Sequence, residues 1–224
     1  MLNINYSEGG ICNYKCCYCR SKAKRAEGFF DADIGFYDLF FIMKKKGLLS
    51  SELNLDYAPG ESTLHHDRLR TYELFNSIES VQVFTNASIY DEVLSRYIEN
   101  DRCVLLVSVD AGTRETYHKV KGSDLYDKVQ ENLRKYSALR PGIVQLKYIF
   151  LPGINDNDAD VDGFIELCHQ INPGIVFLSF DYNYPGKSLP DSTFRAVKRM
   201  IDTLDSEQII WQSVSDLITQ KFQG

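Results

Sequence analysis

Residues 12 to 19 read Cys-Asn-Tyr-Lys-Cys-Cys-Tyr-Cys. Cys12, Cys16 and Cys19 follow the spacing C-x3-C-x2-C, and the aromatic Tyr18 stands just ahead of the last thiol. Three thiolates from one short loop can hold three irons of a four-iron, four-sulfur cube, where the usual four-cysteine set holds all of them. No nearby cysteine has the spacing to be the fourth, so one iron is left open for a ligand that is not protein. A structural zinc site is the competing reading, with His65 or His66 completing three cysteines. Cys17 abuts Cys16, cannot readily share its geometry, and reads as a buried small hydrophobe.

The elements that must position this loop come next. It follows a strand-like run, Leu2 to Ser7, and the glycine pair Gly9-Gly10. Candidate strands are 2–7, 53–57, 81–86, 104–110, 144–150 and 176–182. Candidate helices are 34–47, 65–78, 90–99, 125–139, 159–170 and 191–205, with a last amphipathic stretch, 207–222, read as a C-terminal helix. Strands alternating with helices imply βαβ units and a parallel sheet. One domain, 1–224, with its core in 1–205, is expected from 224 residues.

Period-two alternation splits each strand into an apolar and a polar face. Leu53, Leu55 and Tyr57 oppose Asn54 and Asp56; Leu146, Tyr148 and Phe150 oppose Gln145 and Lys147. A doubly wound sheet buries both faces and reads apolar throughout. A closed eight-stranded barrel fills its inside with branched apolar residues. A polar face repeated in six strands fits neither; it predicts an α/β partial (β/α)6 barrel, helices outside and a wet, ligand-holding interior.

Composition narrows the function. The net charge of −6 argues against nucleic acid, and the basic clusters Arg20, Lys22, Lys24, Arg25 and Lys44 to Lys46 read as solvated faces. The N-terminus shows no signal pattern, and no apolar run reaches membrane-spanning length. Six cysteines, four of them crowded within residues 12–19, do not resemble a disulfide framework, which fits a reducing cytoplasm. No phosphate-binding glycine loop is present, and the acidic run around Asp156 to Asp162 lacks the glycine and glutamate of a calcium loop. The four histidines read as surface or capping residues.

Each expected strand end carries polar groups suited to a ligand. The second ends in Ala58-Pro59-Gly60-Glu61-Ser62, the third in Thr85-Asn86-Ala87, and the fourth in Ser108-Val109-Asp110. The fifth bears Lys147 and is followed by Pro152-Gly153-Ile154-Asn155-Asp156. Taken with the cysteine loop and in this order, over residues 1 to about 182, these segments resemble the radical S-adenosylmethionine family. Pro59 and Ser62 depart from that family's Gly-Gly-Glu-Pro.

The resemblance implies a (β/α)6 partial barrel in which Cys12, Cys16 and Cys19 hold a [4Fe-4S] cluster. S-adenosylmethionine would then chelate the open iron through its amino and carboxylate groups, and reductive cleavage would give a 5′-deoxyadenosyl radical that abstracts hydrogen. Gly60, Glu61, Asn86, Ser108, Asp110 and Lys147 are assigned to the cofactor's amine, ribose and carboxylate, and Tyr18, Pro152 and Ile154 to its adenine. Without a ligand, Glu61, Asp110 and Thr113 would serve as caps, and Lys147 would pair with Asp110 or Asp181. Asp181, Tyr182 and Tyr184 mark where substrate would enter. The expected substrate is an unidentified small molecule, with sugar-related compounds the first to test. An activase acting on a partner protein, and a structural metal module without radical chemistry, remain open. The electron donor would be an external flavodoxin- or ferredoxin-like protein.

Overall fold

The computed structural model describes residues 2–6, 11–19, 36–50, 52–181, 190–215 and 218–219. Seven strands lie in one sheet: β1 (Leu2–Tyr6), β2 (Leu53–Tyr57), β3 (Ser80–Thr85), β4 (Val104–Ser108), β5 (Val144–Phe150), β6 (Val176–Phe180) and β7 (Trp211–Ser213). Their order in the sheet is their order in the chain. β1 with β2, β2 with β3, β5 with β6, and β6 with β7 pair in parallel. Right-handed crossovers between strands that never reverse order keep the helices on one face. A doubly wound sheet requires a reversal of strand order, and these strands show none. The architecture is the expected partial (β/α) barrel.

Burial follows the alternation. Leu53, Leu55 and Tyr57 are buried, while Asn54 and Asp56 between them are half-buried; Val81 and Val83 flank half-buried Gln82. On β5, Val144, Leu146 and Tyr148 are buried and Gln145 and Lys147 half-buried. Each such apolar side chain contributes about 1.5–3 kcal/mol on burial. A one-residue slip would turn every one of them to the polar face, so the register is strongly held.

The helices are α1 (Phe36–Lys45), α2 (Arg68–Leu74), α3 (Glu92–Glu99), α4 (Arg114–Lys121), α5 (Tyr126–Leu139), α6 (Asp158–Ile171) and α7 (Asp191–Ser206). Asp91 caps α3 through Val93 N and Leu94 N, Thr113 caps α4 through Thr116 N, and Asn157 caps α6 through Asp160 N. The expected helix 65–78 is broken into α2 between two short 3₁₀ turns, Ser62–Leu64 and Phe75–Ser77. The 207–222 stretch is corrected at its start. Trp211–Ser213 forms β7, paired in register with Val176–Leu178. Among the described residues no helix is long and apolar enough to cross a membrane.

The chain divides into two compact units. The first comprises Met1–Asn13, Cys19–Thr85 and Ile89–Leu105; the second comprises Tyr14–Tyr18, Asn86–Ser88 and Leu106–Gly224. In the first, Tyr57, Tyr72 and Phe75 meet edge-on or tilted, with Tyr97 against the last two. In the second, Tyr148 packs against Phe150 and Phe164 at 4.8 Å between ring centroids. That second core is closed by a glycine contact: a Cβ on Gly163 of α6 would lie 2.1 Å from the Gly112 carbonyl oxygen.

Candidate active site

In the second unit, the middle of the cysteine loop docks on the C-terminal end of α4. Lys15 N donates to Lys121 O at 3.0 Å and Cys17 N to Val120 O at 2.9 Å, one bond on each side of Cys16. Tyr14 packs edge-on to Tyr117, and the Tyr117 hydroxyl donates to that of Tyr14 at 2.9 Å. Burial and the neighbouring Tyr14 phenol raise the Tyr117 hydroxyl's pKa. The Tyr18 ring packs on Val120, Ile149 and Leu151.

Asp110, just past β4, is wholly buried at 0% exposure and adopts φ 57, a left-handed conformation that aspartate tolerates better than most residues. One carboxylate oxygen takes the Tyr18 hydroxyl and the Lys121 ammonium, and the other takes Ile149 N at 2.7 Å. Burial first, and then the Asp110 charge, push the Tyr18 phenol well above its ordinary range. Asp110 was expected to contact the cofactor. Its oxygens are enclosed by protein donors, so it holds neighbouring segments in place.

The turn after β5 is fixed from within. Asn155 is fully buried; its amide donates to the carbonyls of Asp110 and Ile149, and its oxygen accepts from Leu151 N. Asp156 accepts from Gly153 N at 2.8 Å and from the hydroxyls of Ser192 and Thr193. These bonds leave Pro152 half-buried and Ile154 40% exposed. Gly153, at φ 78, has nothing within 4 Å of where a Cβ would stand.

Ser108 and Lys147 come from adjacent points on β4 and β5, since Val109 N donates to Lys147 O. Both are half-buried. Burial draws the Lys147 ammonium below the usual lysine range; Asp110 offsets part of that shift, and the Lys121 charge adds to it. The ion pair anticipated between Lys147 and Asp110 is formed by Lys121 instead. Among the described residues the Lys147 ammonium makes no ion pair or hydrogen bond. Asn86 is half-buried, and its side-chain oxygen accepts from Ser88 N. Ala87 beside it sits at φ 55, where a glycine would be at ease.

In the first unit, Glu61 N donates to Ile11 O at 3.0 Å, next to Cys12. Exposed Gly60 turns at φ 69 and brings the chain there. The Glu61 carboxylate is 1% exposed, and one oxygen accepts from Thr63 N, Thr63 Oγ1 and Thr85 Oγ1 at 3.1, 2.7 and 2.6 Å. The capping role is therefore realised, and the same bonds join the ends of β2 and β3.

Cys12, Cys16 and Cys19 are half-buried and outside any disulfide. Cys103 and Cys168 are buried, and burial pushes the Cys168 thiol up to about 12, which keeps it protonated. A cysteine that binds metal does so as thiolate, the form that burial disfavours at Cys168. Among the described residues, no group of three or more His, Cys, Asp or Glu is gathered to hold a metal ion. Cys17 is corrected from buried to exposed, because its amide is tied to Val120 while its side chain points outward. His65 is corrected from surface to buried: it packs on Tyr57, and its Nδ1 accepts from Asp67 N. Tyr182 and Tyr184 lie outside the described residues; Asp181 is half-buried.

Sequence reasoning missed Lys121 and Asp160. Asp160 is buried and accepts from Gly112 N, Thr113 N, Thr113 Oγ1, Thr116 Oγ1 and Asn157 Nδ2. An aspartate three residues past an Asn cap was the available signal. Lys121 offered only its place before Gly122, a helix-stop residue.

No family model matches the chain. It is 24% identical over 170 residues to a probable GTP 3′,8-cyclase of Saccharolobus islandicus (strain M.14.25 / Kamchatka #1), covering 75% of this chain and 53% of that protein. It is 25% identical over 164 residues to a GTP 3′,8-cyclase of Stenotrophomonas maltophilia (strain K279a), covering 70% of this chain and 48% of that one. The chain thus spans about half the length of the curated relatives it matches. Among solved structures it resembles Streptococcus suis SuiB bound to S-adenosylmethionine (TM-score 0.67, 12% identity, 99% of this chain and 49% of that chain). A radical SAM methyltransferase from Sphaerobacter thermophilus gives TM-score 0.64 at 14% identity, over 95% of this chain and 66% of that chain. anSMEcpe with bound AdoMet and a peptide gives 0.65 at 17% identity, over 94% of this chain and 62% of that chain. The fold is the one shared with these solved structures, the radical SAM methyltransferase among them, and the sequence is distantly similar to GTP 3′,8-cyclases.

Proposed function

We propose that this chain, residues 1 to 224 as one catalytic domain, is a radical S-adenosylmethionine enzyme. Cys12, Cys16 and Cys19 hold a [4Fe-4S] cluster as thiolates and leave one iron for the cofactor. When bound, the cluster and S-adenosylmethionine together supply the electron and the 5′-deoxyadenosyl radical that takes a hydrogen atom from substrate.

The chain's own residues bind and orient. Lys147, half-buried and in no direct ion pair among the described residues, meets the cofactor carboxylate, with Ser108 beside it. Gly60 and Asn86 offer backbone and amide groups to the methionine and ribose ends, and Pro152 and Ile154 flank the adenine. Glu61 and Asp110 act from behind these groups, as does the Tyr18 hydroxyl, while the Tyr18 ring borders the adenine side. The observation that carries the reading is that Asp110 ties Tyr18, one residue before Cys19, to Ile149 on the strand bearing Lys147.

A small molecule is the first substrate class in this reading, supported by the half-buried polar row of Asn54, Asp56 and Gln82. A peptide substrate is the second reading, supported by the peptides bound to SuiB and anSMEcpe in two of the solved neighbours. Anaerobic reconstitution tests the proposal. Near four irons per chain, with an electron paramagnetic resonance spectrum that changes on adding S-adenosylmethionine, is expected. Preferential zinc uptake contradicts it.

A further inference from the structure

Lys121 carries none of the motifs above. It ends α4 and is 2% exposed, and its ammonium reaches both the Asp110 carboxylate and the Tyr18 hydroxyl. A cation at a helix C-terminus is favoured by the exposed carbonyls, and a buried one requires an anion. Its main chain works on the same loop: its carbonyl and that of Val120 take the amides of Lys15 and Cys17 and so bracket Cys16. Gly122 at φ 62 then turns the chain away, in a space where a Cβ would stand 3.2 Å from Lys15 Cβ. Through Asp110 the linkage continues to Ile149 N, and through Asn155 to the 149–151 backbone.

We propose, resting on the reading under Proposed function, that Lys121 is a positioning residue. It locks the cysteine loop and the 149–155 cofactor edge into one register, so cluster and cofactor geometry depends on a side chain that touches neither. A pair that merely stabilised the fold would lower the melting temperature and leave the loaded cluster unchanged.

The test compares Lys121→Met, which keeps length and loses charge, with Tyr18→Phe, which removes the hydroxyl and keeps the ring and the ion pair. Lys119→Met on the exposed side of the same helix is the surface control. Each full-length protein is reconstituted anaerobically, then assayed for iron per chain, the electron paramagnetic resonance change on adding S-adenosylmethionine, the Kd for it, and circular dichroism. Lys121→Met and Tyr18→Phe are both expected to show an altered spectral change and an about tenfold weaker Kd, with Lys119→Met like wild type. Wild-type spectra and affinity in folded Lys121→Met and Tyr18→Phe overturn the proposal. If Lys121→Met fails to fold, Tyr18→Phe decides alone: shifted spectra and affinity support the proposal, and unchanged ones overturn it. A wild-type chain that takes up no iron overturns the functional reading, and the proposal with it.

Discussion

Gly163→Ala should damage the fold despite being a mild change inside a helix. The new Cβ would lie 2.1 Å from Gly112 O, 2.7 Å from its carbonyl carbon and 2.9 Å from its Cα. Carbon–oxygen contacts settle near about 3.3 Å, so the backbones must part by roughly 1 Å. They are pinned together. Asp160 on the same helix accepts from Gly112 N and Thr113 N at 2.9 and 3.0 Å, and Tyr126 holds Gly112 O at 2.5 Å. Losing two bonds to a buried carboxylate costs about 3–5 kcal/mol, against about 1 kcal/mol gained from alanine's helix propensity. The net, about 2–4 kcal/mol, lowers Tm by roughly 4–16 °C in a chain of this size. Gly153→Ala is the internal control. Nothing lies within 4 Å of its Cβ position, so only its positive φ, 78°, resists, at about 1–2 kcal/mol. Thermal melts followed by circular dichroism decide. A Gly163→Ala Tm within about 2 °C of wild type, or above that of Gly153→Ala, would refute the contact between α6 and the segment after β4.

Asp160→Ala removes the acceptor for five donors. Urea melts should show a loss of about 3–5 kcal/mol, with Asp160→Asn losing less. Asp56 has its pKa raised by burial, only partly offset by a hydrogen bond from Asn5. A raised carboxyl contributes stability below its unfolded pKa, near about 3.9, and loses it as pH rises through the folded value. Asp56→Asn should therefore match wild type in Tm near pH 4 and exceed it at pH 7; a gap that closes toward neutral pH contradicts the assignment. Glu61→Ala leaves the buried Thr63 and Thr85 hydroxyls without their shared acceptor. The Kd for S-adenosylmethionine should weaken about tenfold with iron content kept, and calorimetry on the reconstituted protein measures it.

Strand alternation was legible because one face is buried and the other is not. Leu53, Leu55 and Tyr57 against Asn54 and Asp56 reported both the strand and its half-buried polar face. The cysteine spacing and the polar strand ends were equally plain, since each is local in sequence. What sequence hid is long-range pairing. Asp110 reads as a ligand group until Lys121, Tyr18 and Ile149 are seen to enclose it. α4 went unseen because its eight residues bury little more than Tyr117 and Val120 among the apolar ones, too few for a helical period. β7 lay inside an amphipathic stretch whose pairing with β6 no local pattern announces. Cys17 read as buried because the residue type usually is, but its amide, not its thiol, is the docked group.

The central claim is tested most directly by nucleoside release. The reconstituted, reduced chain is incubated anaerobically with S-adenosylmethionine, and 5′-deoxyadenosine is followed by liquid chromatography and mass spectrometry. Wild type is predicted to form it, with Cys16→Ala forming none. A cluster-loaded wild type that forms no 5′-deoxyadenosine with chemical or flavodoxin-type reductants would contradict the account.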